Sequence, residues 1–355
     1  MKNLRAAGAL LSVAALLAAC GQSTVTTQPT AQVTATAVPA TQSASPTAPA
    51  KTVKIALVRQ LASGDYFQQW QAGAQAEATR LGVQLQVLDA SGDDAKQALD
   101  MQTAINSAPD AIIVDHGFAQ TMDPPIKQAL DANIPVICFD VDAGDSRAIV
   151  ETQSDHDIAQ LGLDQMVKDL NGKGQIIYVY VSGFAPLDAR NEVWKQVKTA
   201  NPGLDQVAQI GAVNNSTAAT VADQAKASLQ ANPNVTAIFA PYDEFAKGAV
   251  LAVNELGLAG KVKVYGADVT TADIGVMTEA NSPWVATVGA DPANVGAVAI
   301  RAAYLKAVGK NVPASIVVPV ALITQAQLVS GHVQNMQQLA AAVPALETPD
   351  LLPAP

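Results

Sequence analysis

The chain has 355 residues and a formal net charge of −10, and it lacks a basic patch that could neutralise the phosphates of a nucleic acid. Composition therefore gives no support for nucleic-acid binding. Apolar residues make up 49% of the chain, and a single hydrophobic core rarely grows beyond about 250–300 residues. We therefore expect two lobes.

The first 20 residues have the features of a bacterial export signal. Lys2 and Arg5 form a charged start, and the apolar run at residues 8–19 is too short to span a membrane. Residues 17–20, Leu-Ala-Ala-Cys, resemble the lipobox of bacterial lipoproteins, in which the cysteine becomes the lipidated first residue. This motif predicts lipidation of Cys20; the alternative is an ordinary signal peptide with an incidental cysteine.

Residues 21–51 are predicted to be a disordered linker. Residues 22–50 contain no charged side chain and are dominated by Thr, Ala, Ser, Gln and Pro, so they cannot bury enough apolar surface to fold. With Cys20 lipidated, Cys138 is alone in the folded part and no disulfide is expected. The sequence thus predicts an extracytoplasmic protein, in the periplasm or at the cell surface, held to the membrane by its lipid anchor only.

From residue 53 onward, short apolar runs alternate with segments of helical periodicity. The first half has predicted strands at residues 53–58, 84–89, 111–115, 135–139 and 148–152. Its predicted helices cover residues 66–81, 94–107, 124–132 and 155–170. Alternation at this spacing is typical of a parallel sheet with helices on both faces.

The same rhythm begins again after residue 174. Predicted strands cover residues 175–181, 206–213, 237–240, 261–267, 285–290 and 315–320. Predicted helices cover residues 188–200, 217–231, 243–256, 271–280 and 292–308. Two successive sets of such units predict two doubly wound lobes, with a cleft where their strand ends face each other. The Ala- and Pro-rich tail from Ser330 is expected to pack loosely.

Carboxylates follow several predicted strands. The run at residues 135–139, Pro-Val-Ile-Cys-Phe, suits a strand buried on both faces and is followed by Asp140 and Asp142. These two side chains point the same way if the strand continues, since side chains alternate with a period of two. Further candidates end other strands, at the edge where open α/β sheets bind ligands. They are Asp115, His116 and Asp268.

Eight short segments form an ordered set of motifs. They are residues 55–58 (Ile-Ala-Leu-Val), 66–67 (Tyr-Phe), 73–78 (Gly-Ala-Gln-Ala-Glu-Ala), 132–137 (Ala-Asn-Ile-Pro-Val-Ile) with Asp140, 153–155 (Gln-Ser-Asp), Arg190 with Trp194, 238–244 (Ile-Phe-Ala-Pro-Tyr-Asp-Glu) and 264–268 (Val-Tyr-Gly-Ala-Asp). Each motif is weak alone, but the ordered set is specific. It resembles the type I periplasmic sugar-binding proteins, the receptors of ABC importers, over about residues 53 to 320.

This resemblance implies two α/β lobes, each a doubly wound parallel sheet, joined by a three-strand hinge and closing on a sugar. In the family pattern the chain crosses between the lobes near Ser154, Asp291 and Val318. The implied segments are 52–154 with 291–318 for the N-terminal lobe, 155–290 with 319–340 for the C-terminal lobe, and 341–355 for the tail.

The resemblance also implies roles for individual side chains. Tyr66 and Phe67 match the paired aromatic residues that flank the sugar ring. Asp140 matches the carboxylate that accepts hydrogen bonds from sugar hydroxyls. Arg190 matches a donor from the second lobe, and Asp268 matches the second-lobe carboxylate.

Other positions differ from the ribose-binding members of the family. Tyr242 stands where they have Asn, and Gln60 stands where they have Ser. Val141 replaces an Arg and Ala290 replaces a Gln, which removes two hydrogen-bond donors, while Asp142 adds an acceptor. The predicted ligand-binding residues are Gln60, Tyr66, Phe67, Asp115, His116, Asp140, Asp142, Arg190, Tyr242 and Asp268.

Such a set suits a small neutral carbohydrate, a hexose such as glucose or a pentose. Carboxylates accept hydroxyl hydrogens, a guanidinium donates in a fixed fork, and aromatic rings cover the apolar faces of a sugar. No nucleotide-binding, hydrolase or His-Cys metal motif is present, so we expect neither catalysis nor a cofactor nor a metal. Residues 140–151 match a calcium loop only superficially, because Asp145 occupies the place that requires Gly.

Three alternatives remain at this point. The excess of Asp over Arg at the strand ends could suit a cationic ligand such as a polyamine. The protein could also present its sugar to a signalling receptor instead of an ABC permease. A transcription regulator of the same fold would need an N-terminal helix-turn-helix, whereas this chain has a signal and a linker there. The favoured interpretation is a monomeric receptor that delivers sugar to permease subunits.

Overall fold

The computed structural model of the protein describes residues 52–346 and Leu352. The predicted signal peptide, the lipidation of Cys20, the linker and most of the tail lie outside the described residues. The described part contains two six-stranded sheets with helices packed against them. None of its helices is both long and apolar enough to cross a membrane.

The first sheet is parallel throughout. Its strands, numbered in chain order, are β1 (Lys54–Arg59), β2 (Gln84–Asp89), β3 (Ala111–Asp115), β4 (Val136–Phe139), β5 (Ile149–Gln153) and β11 (Ser315–Val318). They are arranged in the order β11-β5-β4-β3-β1-β2. The central strands β3 and β4 are buried at every residue, as expected of continuous apolar runs covered on both faces.

Four helices pack around this sheet and complete what we call the first lobe. They are α1 (Asp65–Leu81), α2 (Asp94–Asn106), α3 (Ala119–Asp131) and α9 (Pro292–Ala307). Helix α3 begins five residues earlier than predicted, because its two prolines lie inside the helix instead of opening it.

The second sheet repeats this arrangement with one antiparallel edge strand. Its strands are β6 (Gly174–Val179), β7 (Leu204–Ile210), β8 (Val235–Ala240), β9 (Lys263–Gly266), β10 (Trp284–Gly289) and β12 (Ala321–Thr324). The order is β12-β10-β9-β8-β6-β7, and β12 runs antiparallel to β10. The helices of this second lobe are α4 (Asp155–Leu170), α5 (Ala185–Ala200), α6 (Thr217–Ala231), α7 (Asp243–Glu255), α8 (Thr271–Thr278), α10 (Gln325–Ser330) and α11 (Met336–Ala342).

The chain passes between the two sheets at three places. The first passage leads from β5 to α4, the second from β10 to α9, and the third from β11 to β12. These strands lie at the same edge of each sheet, so all three passages are side by side and form a hinge. The carboxyl ends of the parallel strands on both sheets border the space between the lobes. The predicted fold class, two doubly wound α/β lobes, is confirmed.

Helices α1 and α9 lie unusually close together. A Cβ atom on Gly73 would lie 1.9 Å from the carbonyl oxygen of Ala293, and one on Gly296 would lie 2.2 Å from the carbonyl oxygen of Trp70. Only glycine permits backbones to approach this closely. Because α9 returns directly from the second lobe, this contact fixes the start of α1 relative to the hinge.

Two predictions about the C-terminal region are wrong. The predicted last strand, residues 315–320, covers all of β11 (Ser315–Val318) and the beginning of a crossing, and a further strand, β12, follows in the other sheet. The tail from Ser330 does not pack loosely, since Leu339 and Leu346 are almost fully buried. Both leucines enter the large apolar core, and Asn335 caps α11 by accepting a hydrogen bond from the backbone N–H of Gln338.

Candidate functional site

A pocket lies between the lobes, bordered by the carboxyl ends of both sheets. The space that atoms leave empty there is about 500 Å³, which includes space open to solvent. Eight of the ten predicted ligand-binding residues line it, and Asp115 and Asp142 do not. The eight are Gln60, Tyr66, Phe67, His116, Asp140, Arg190, Tyr242 and Asp268. Side chains of both lobes thus share one hollow.

Three lining residues that follow strands have a left-handed backbone. The φ angle is +58° at His116, +51° at Asp140 and +67° at Asp268. Non-glycine residues seldom adopt this conformation, although Asp and His tolerate it better than most, and such residues cluster at functional sites. The same kind of turn therefore ends three strands and brings each of these side chains to the pocket.

Asp140 is a buried carboxylate with an unused oxygen. Its Oδ2 lies 3.8 Å from Nε2 of His116, and its Oδ1 has no hydrogen-bond partner among the described residues. Burial raises the pKa of Asp140 to about 7, and the charge of Asp155 acts in the same direction. A donor that approached Oδ1 would stabilise the ionised form of this group.

Asp115 lies beneath the pocket and supports His116. Its Oδ2 accepts a hydrogen bond from Nε of Arg59 at 2.6 Å, and its Oδ1 lies 2.7 Å from Nδ1 of His116. Burial opposes ionisation of Asp115, but the charge of Arg59 and the bond to His116 outweigh it and lower the pKa. Burial also opposes protonation of His116, but its bond to Asp115 and the charge of Asp115 raise the pKa of His116 overall. Asp115 therefore orients His116 and has no oxygen left for a ligand.

Arg190 joins three parts of the second lobe at the pocket wall. Its Nε donates to Oδ1 of Asp155 at 2.9 Å, and its Nη1 donates to the carbonyl oxygen of Pro241 at 2.8 Å. The same Nη1 lies 3.7 Å from Oδ2 of Asp268. Burial disfavours the charge of Arg190, but the carboxylates of Asp268, Asp155 and Asp140 outweigh it and raise the pKa. The guanidinium is thus held rigidly beside Asp268, whose own pKa is raised by burial.

Aromatic rings from both lobes form part of the wall. The ring centroid of Phe67 lies 5.0 Å from that of His116 and 6.3 Å from that of Tyr242, both edge to face. Tyr66 stands edge to face with Phe67 at 5.6 Å. Together they give the pocket an apolar surface beside its charged groups.

Five side chains in this lining carry a buried polar atom that has no hydrogen-bond partner among the described residues. These atoms are Tyr66 OH, Asp140 Oδ1, Gln153 Oε1, Tyr242 OH and Asp268 Oδ1. Buried polar groups are nearly always hydrogen-bonded, so such a concentration in one pocket indicates a place for a polar ligand. The three carboxylate or amide oxygens are acceptors, which a hydroxylated ligand could satisfy by donating.

A model of the periplasmic binding protein domain matches residues 55–311 of the chain. The chain belongs to the periplasmic binding protein family. Among characterised relatives, it is 28% identical to the ribose import binding protein of Escherichia coli K12 over 282 residues, which cover 76% of this chain and 90% of the relative. Membership of this family makes the protein extracytoplasmic.

Solved structures of periplasmic binding proteins share this architecture. The solute-binding protein of a 5-methylthioribose transporter from Thermotoga lettingae is 43% identical, with a TM-score of 0.82, and the alignment covers 83% of this chain and 93% of that one. A sugar ABC transporter protein from Yersinia enterocolitica is 32% identical, with a TM-score of 0.82 and coverage of 85% and 92%. The resemblance to type I periplasmic sugar-binding proteins is thereby confirmed.

Six further residues of this periplasmic binding protein line the pocket and were not among the predicted ligand-binding residues. They are Leu61, Gln153, Phe184, Pro186, Leu187 and Val213. Gln153 ends β5 and was visible only as part of the Gln-Ser-Asp motif of the family. The others are apolar residues in or after loops, where no pattern separates a pocket wall from ordinary packing.

Asp140 and Asp142 were predicted to point the same way if the strand continued, and the strand does not continue. Strand β4 ends at Phe139, and the left-handed turn at Asp140 breaks the period-two alternation on which that prediction depended. Asp142 is exposed, and its Oδ1 accepts a hydrogen bond from the backbone N–H of Gly144 at 3.1 Å. It therefore stabilises the surface loop after β4.

Across residues 52–346 and Leu352, no group of three or more His, Cys, Asp or Glu side chains is arranged to hold a metal ion.

Proposed function

We propose that the protein is the receptor of an ABC importer and binds a small neutral sugar, a pentose or pentose derivative, between its two lobes. The observation that carries this proposal is the set of five unpartnered buried polar atoms around one pocket. Sugar hydroxyls would donate to the oxygens of Asp140, Gln153 and Asp268. Hydrogen bonds to charged groups contribute roughly 1.5–3 kcal/mol each, so a few of them support micromolar or tighter binding.

The charge balance of the pocket supports a neutral ligand over a polyamine. The two lining carboxylates, Asp140 and Asp268, face His116 and Arg190. Of the other acidic residues that suggested a cationic ligand, Asp115 is neutralised by Arg59 and Asp142 is on the surface. The pocket therefore does not offer the uncompensated negative charge that a polyamine needs.

A pentose is favoured by two relatives. The E. coli relative is named for ribose, and the structure of the T. lettingae relative is described in complex with 5-methylthioribose. In our proposal the sugar ring lies beside Tyr66 and Phe67, which cover its apolar face, while its hydroxyls reach the carboxylates. Closure of the lobes about the hinge then removes water from these contacts.

The attachment and delivery of the protein are part of the same proposal. Lipidation of Cys20 would anchor it to the membrane, and the linker of residues 21–51 would give the two lobes reach. As a monomer, it would pass the sugar unchanged to the permease subunits of the importer. This route is favoured over a signalling receptor because the relatives are import proteins.

Isothermal titration calorimetry with ribose, 5-methylthioribose, glucose and spermidine tests the proposal. We expect at least one sugar to bind with a Kd in the micromolar range or below, with little change between low and high salt. Asp140→Asn should weaken binding strongly, and its matched control Asp142→Asn should not. Binding of spermidine that weakens steeply with salt, without binding of any sugar, would refute the proposal in favour of a cationic ligand.

A further inference from the structure

Polar and apolar residues occupy different ends of the pocket. The hydrogen-bonding residue Gln153 ends β5, and Asp140 and Asp268 follow β4 and β9; these three strands lie on the hinge side of their sheets. The apolar residues Leu61 and Val213 follow β1 and β7, which lie on the opposite side. Strand order therefore divides the pocket into a polar inner end beside the hinge and an apolar outer end.

The start of α5 adds to the apolar outer end. Phe184 and Leu187 line the pocket and come after β6, which pairs with the edge strand β7. Of the two lining residues that directly follow β1, Gln60 is the polar one, and its amide nitrogen lies 3.3 Å from Oδ1 of Asp94. A ligand group at the outer end would thus meet mainly carbon.

The wall of this outer end is completed from the other lobe. Phe184 of the second lobe packs on Phe118 of the first lobe, with ring centroids 4.6 Å apart. The backbone allows this contact only because residue 183 is glycine, since a Cβ atom on Gly183 would lie 2.6 Å from the Phe118 ring. Phe118 follows β3 and is not itself part of the pocket lining. Because the two rings belong to different lobes, they can meet only when the lobes are closed.

We propose that the outer end is a separate apolar subsite, which takes a nonpolar substituent on the sugar, and that Phe118 is the positioning residue that completes it on closure. This inference rests on the proposed function and names the substrate class: a pentose that carries an alkyl or alkylthio group in place of a terminal hydroxyl. A free hydroxyl at that end would lose water without gaining a partner, whereas an apolar group would gain from burial.

The test compares affinities for 5-methylthioribose, 5-deoxyribose and ribose, measured by calorimetry on the same protein. We expect 5-methylthioribose to bind at least about tenfold more tightly than ribose, with 5-deoxyribose between them. Phe118→Ala should reduce this preference to a few-fold, by weakening the substituted sugar more than ribose. Phe118→Leu should restore most of the preference, and Phe184→Ala should remove it.

Asp65→Asn is the matched control, because it breaks a different contact between the lobes. Oδ2 of Asp65 on α1 lies 2.7 Å from Nζ of Lys247 on α7, and neither residue lines the pocket. This variant should weaken all three sugars by the same factor and leave their ratio unchanged. The melting temperature of the ligand-free variants establishes that each is folded.

The outcomes separate the inference from the proposed function. If Phe118→Ala and Phe184→Ala weaken all sugars equally, as the control does, these rings serve closure alone and the subsite is refuted. A wild-type protein that prefers ribose refutes it as well. If the wild-type protein binds no sugar at all, the proposed function itself fails.

Discussion

Replacement of Asp140 by Asn tests the central contact of the site. The substitution keeps the shape of the side chain and removes its charge at a buried position whose Oδ1 has no partner among the described residues. A hydrogen bond to a charged group contributes about 1.5–3 kcal/mol, and about 1.4 kcal/mol corresponds to a factor of ten in Kd. The variant should therefore bind sugar about 10- to 150-fold more weakly at pH 8.5.

The affinity of the wild-type protein for sugar should depend on pH through the ionisation of Asp140. Burial raises the pKa of Asp140 to about 7, so the carboxyl of the free site loses its proton as the pH rises through neutrality. A sugar hydroxyl donates to the ionised form, so binding favours that form, and wild-type affinity should rise from pH 5.5 to 8.5. The Asn variant lacks the carboxyl group that titrates. When both proteins are measured at pH 5.5, the affinity of the Asn variant should approach that of the wild-type protein.

Calorimetry from pH 5.5 to 8.5 at constant ionic strength measures both effects. Asp142→Asn, two residues away and outside the pocket, should reproduce the wild-type curve. The melting temperature of the ligand-free Asp140→Asn protein should be unchanged or higher, because the variant removes a buried charge. Equal affinity of the Asn and wild-type proteins at pH 8.5 would contradict the role given to Asp140.

Three further predictions concern Arg190, Glu151 and Gly73. Arg190→Ala should abolish binding and also lower the free energy of unfolding by about 3 kcal/mol or more, measured by denaturant titration. The variant removes the hydrogen bonds that Arg190 donates to Asp155 and to the carbonyl oxygen of Pro241. Burial raises the pKa of Glu151 well above its usual value, so its contribution to the stability of the fold is complete at acidic pH and is lost as the pH rises. The melting temperature of Glu151→Gln should therefore rise relative to that of the wild-type protein towards alkaline pH. Equal melting temperatures of the two proteins at every pH would contradict this prediction. Gly73→Ala should lower the melting temperature markedly, since α9 leaves no room for a Cβ atom, and an unchanged value would contradict the close packing.

The prediction for Arg190 differs from what the sequence alone suggests. From its place in the family motif, Arg190 is a ligand donor whose loss should leave the melting temperature of the empty protein nearly unchanged. The structure gives it two hydrogen bonds within the second lobe, to a residue on α4 and to the loop before α7. A residue at a pocket wall can thus serve the fold and the ligand together, and sequence position reveals only one of these roles.

The fold could be predicted because its signals are local. Unbroken apolar runs such as those of β3 and β4 indicate strands covered on both faces, and their alternation with helices indicates parallel sheets. The family resemblance implied a crossing near Val318, but the apolar pattern did not separate β11 from β12, because a strand that crosses between lobes remains apolar and extended and no local pattern marks where it changes sheets. The buried tail was missed because its few leucines pack against distant elements.

The candidate site was less accessible to the same reasoning. Asp142 was selected because alternation was assumed to continue past Phe139, whereas the backbone at Asp140 turns left-handed. Arg59 was overlooked because the predicted strand ended at residue 58, whereas Arg59 is the last residue of β1 and neutralises Asp115. The contact of Phe118 with Phe184 joins loops of different lobes, and such a pairing exists only in the assembled molecule.

The unpartnered atoms of the pocket explain why closure should depend on ligand. In the open protein, water can hydrogen-bond to these five groups, but closing the lobes over an empty pocket would remove that water. Each buried unsatisfied group costs about 1–3 kcal/mol, so the five together oppose empty closure by roughly 5 kcal/mol or more. About 5.5 kcal/mol is enough to move a two-state equilibrium from 1:99 to 99:1. Under the proposed function, a sugar that donates to these atoms would remove most of this cost, so the groups proposed to recognise the ligand would also keep the lobes apart without it.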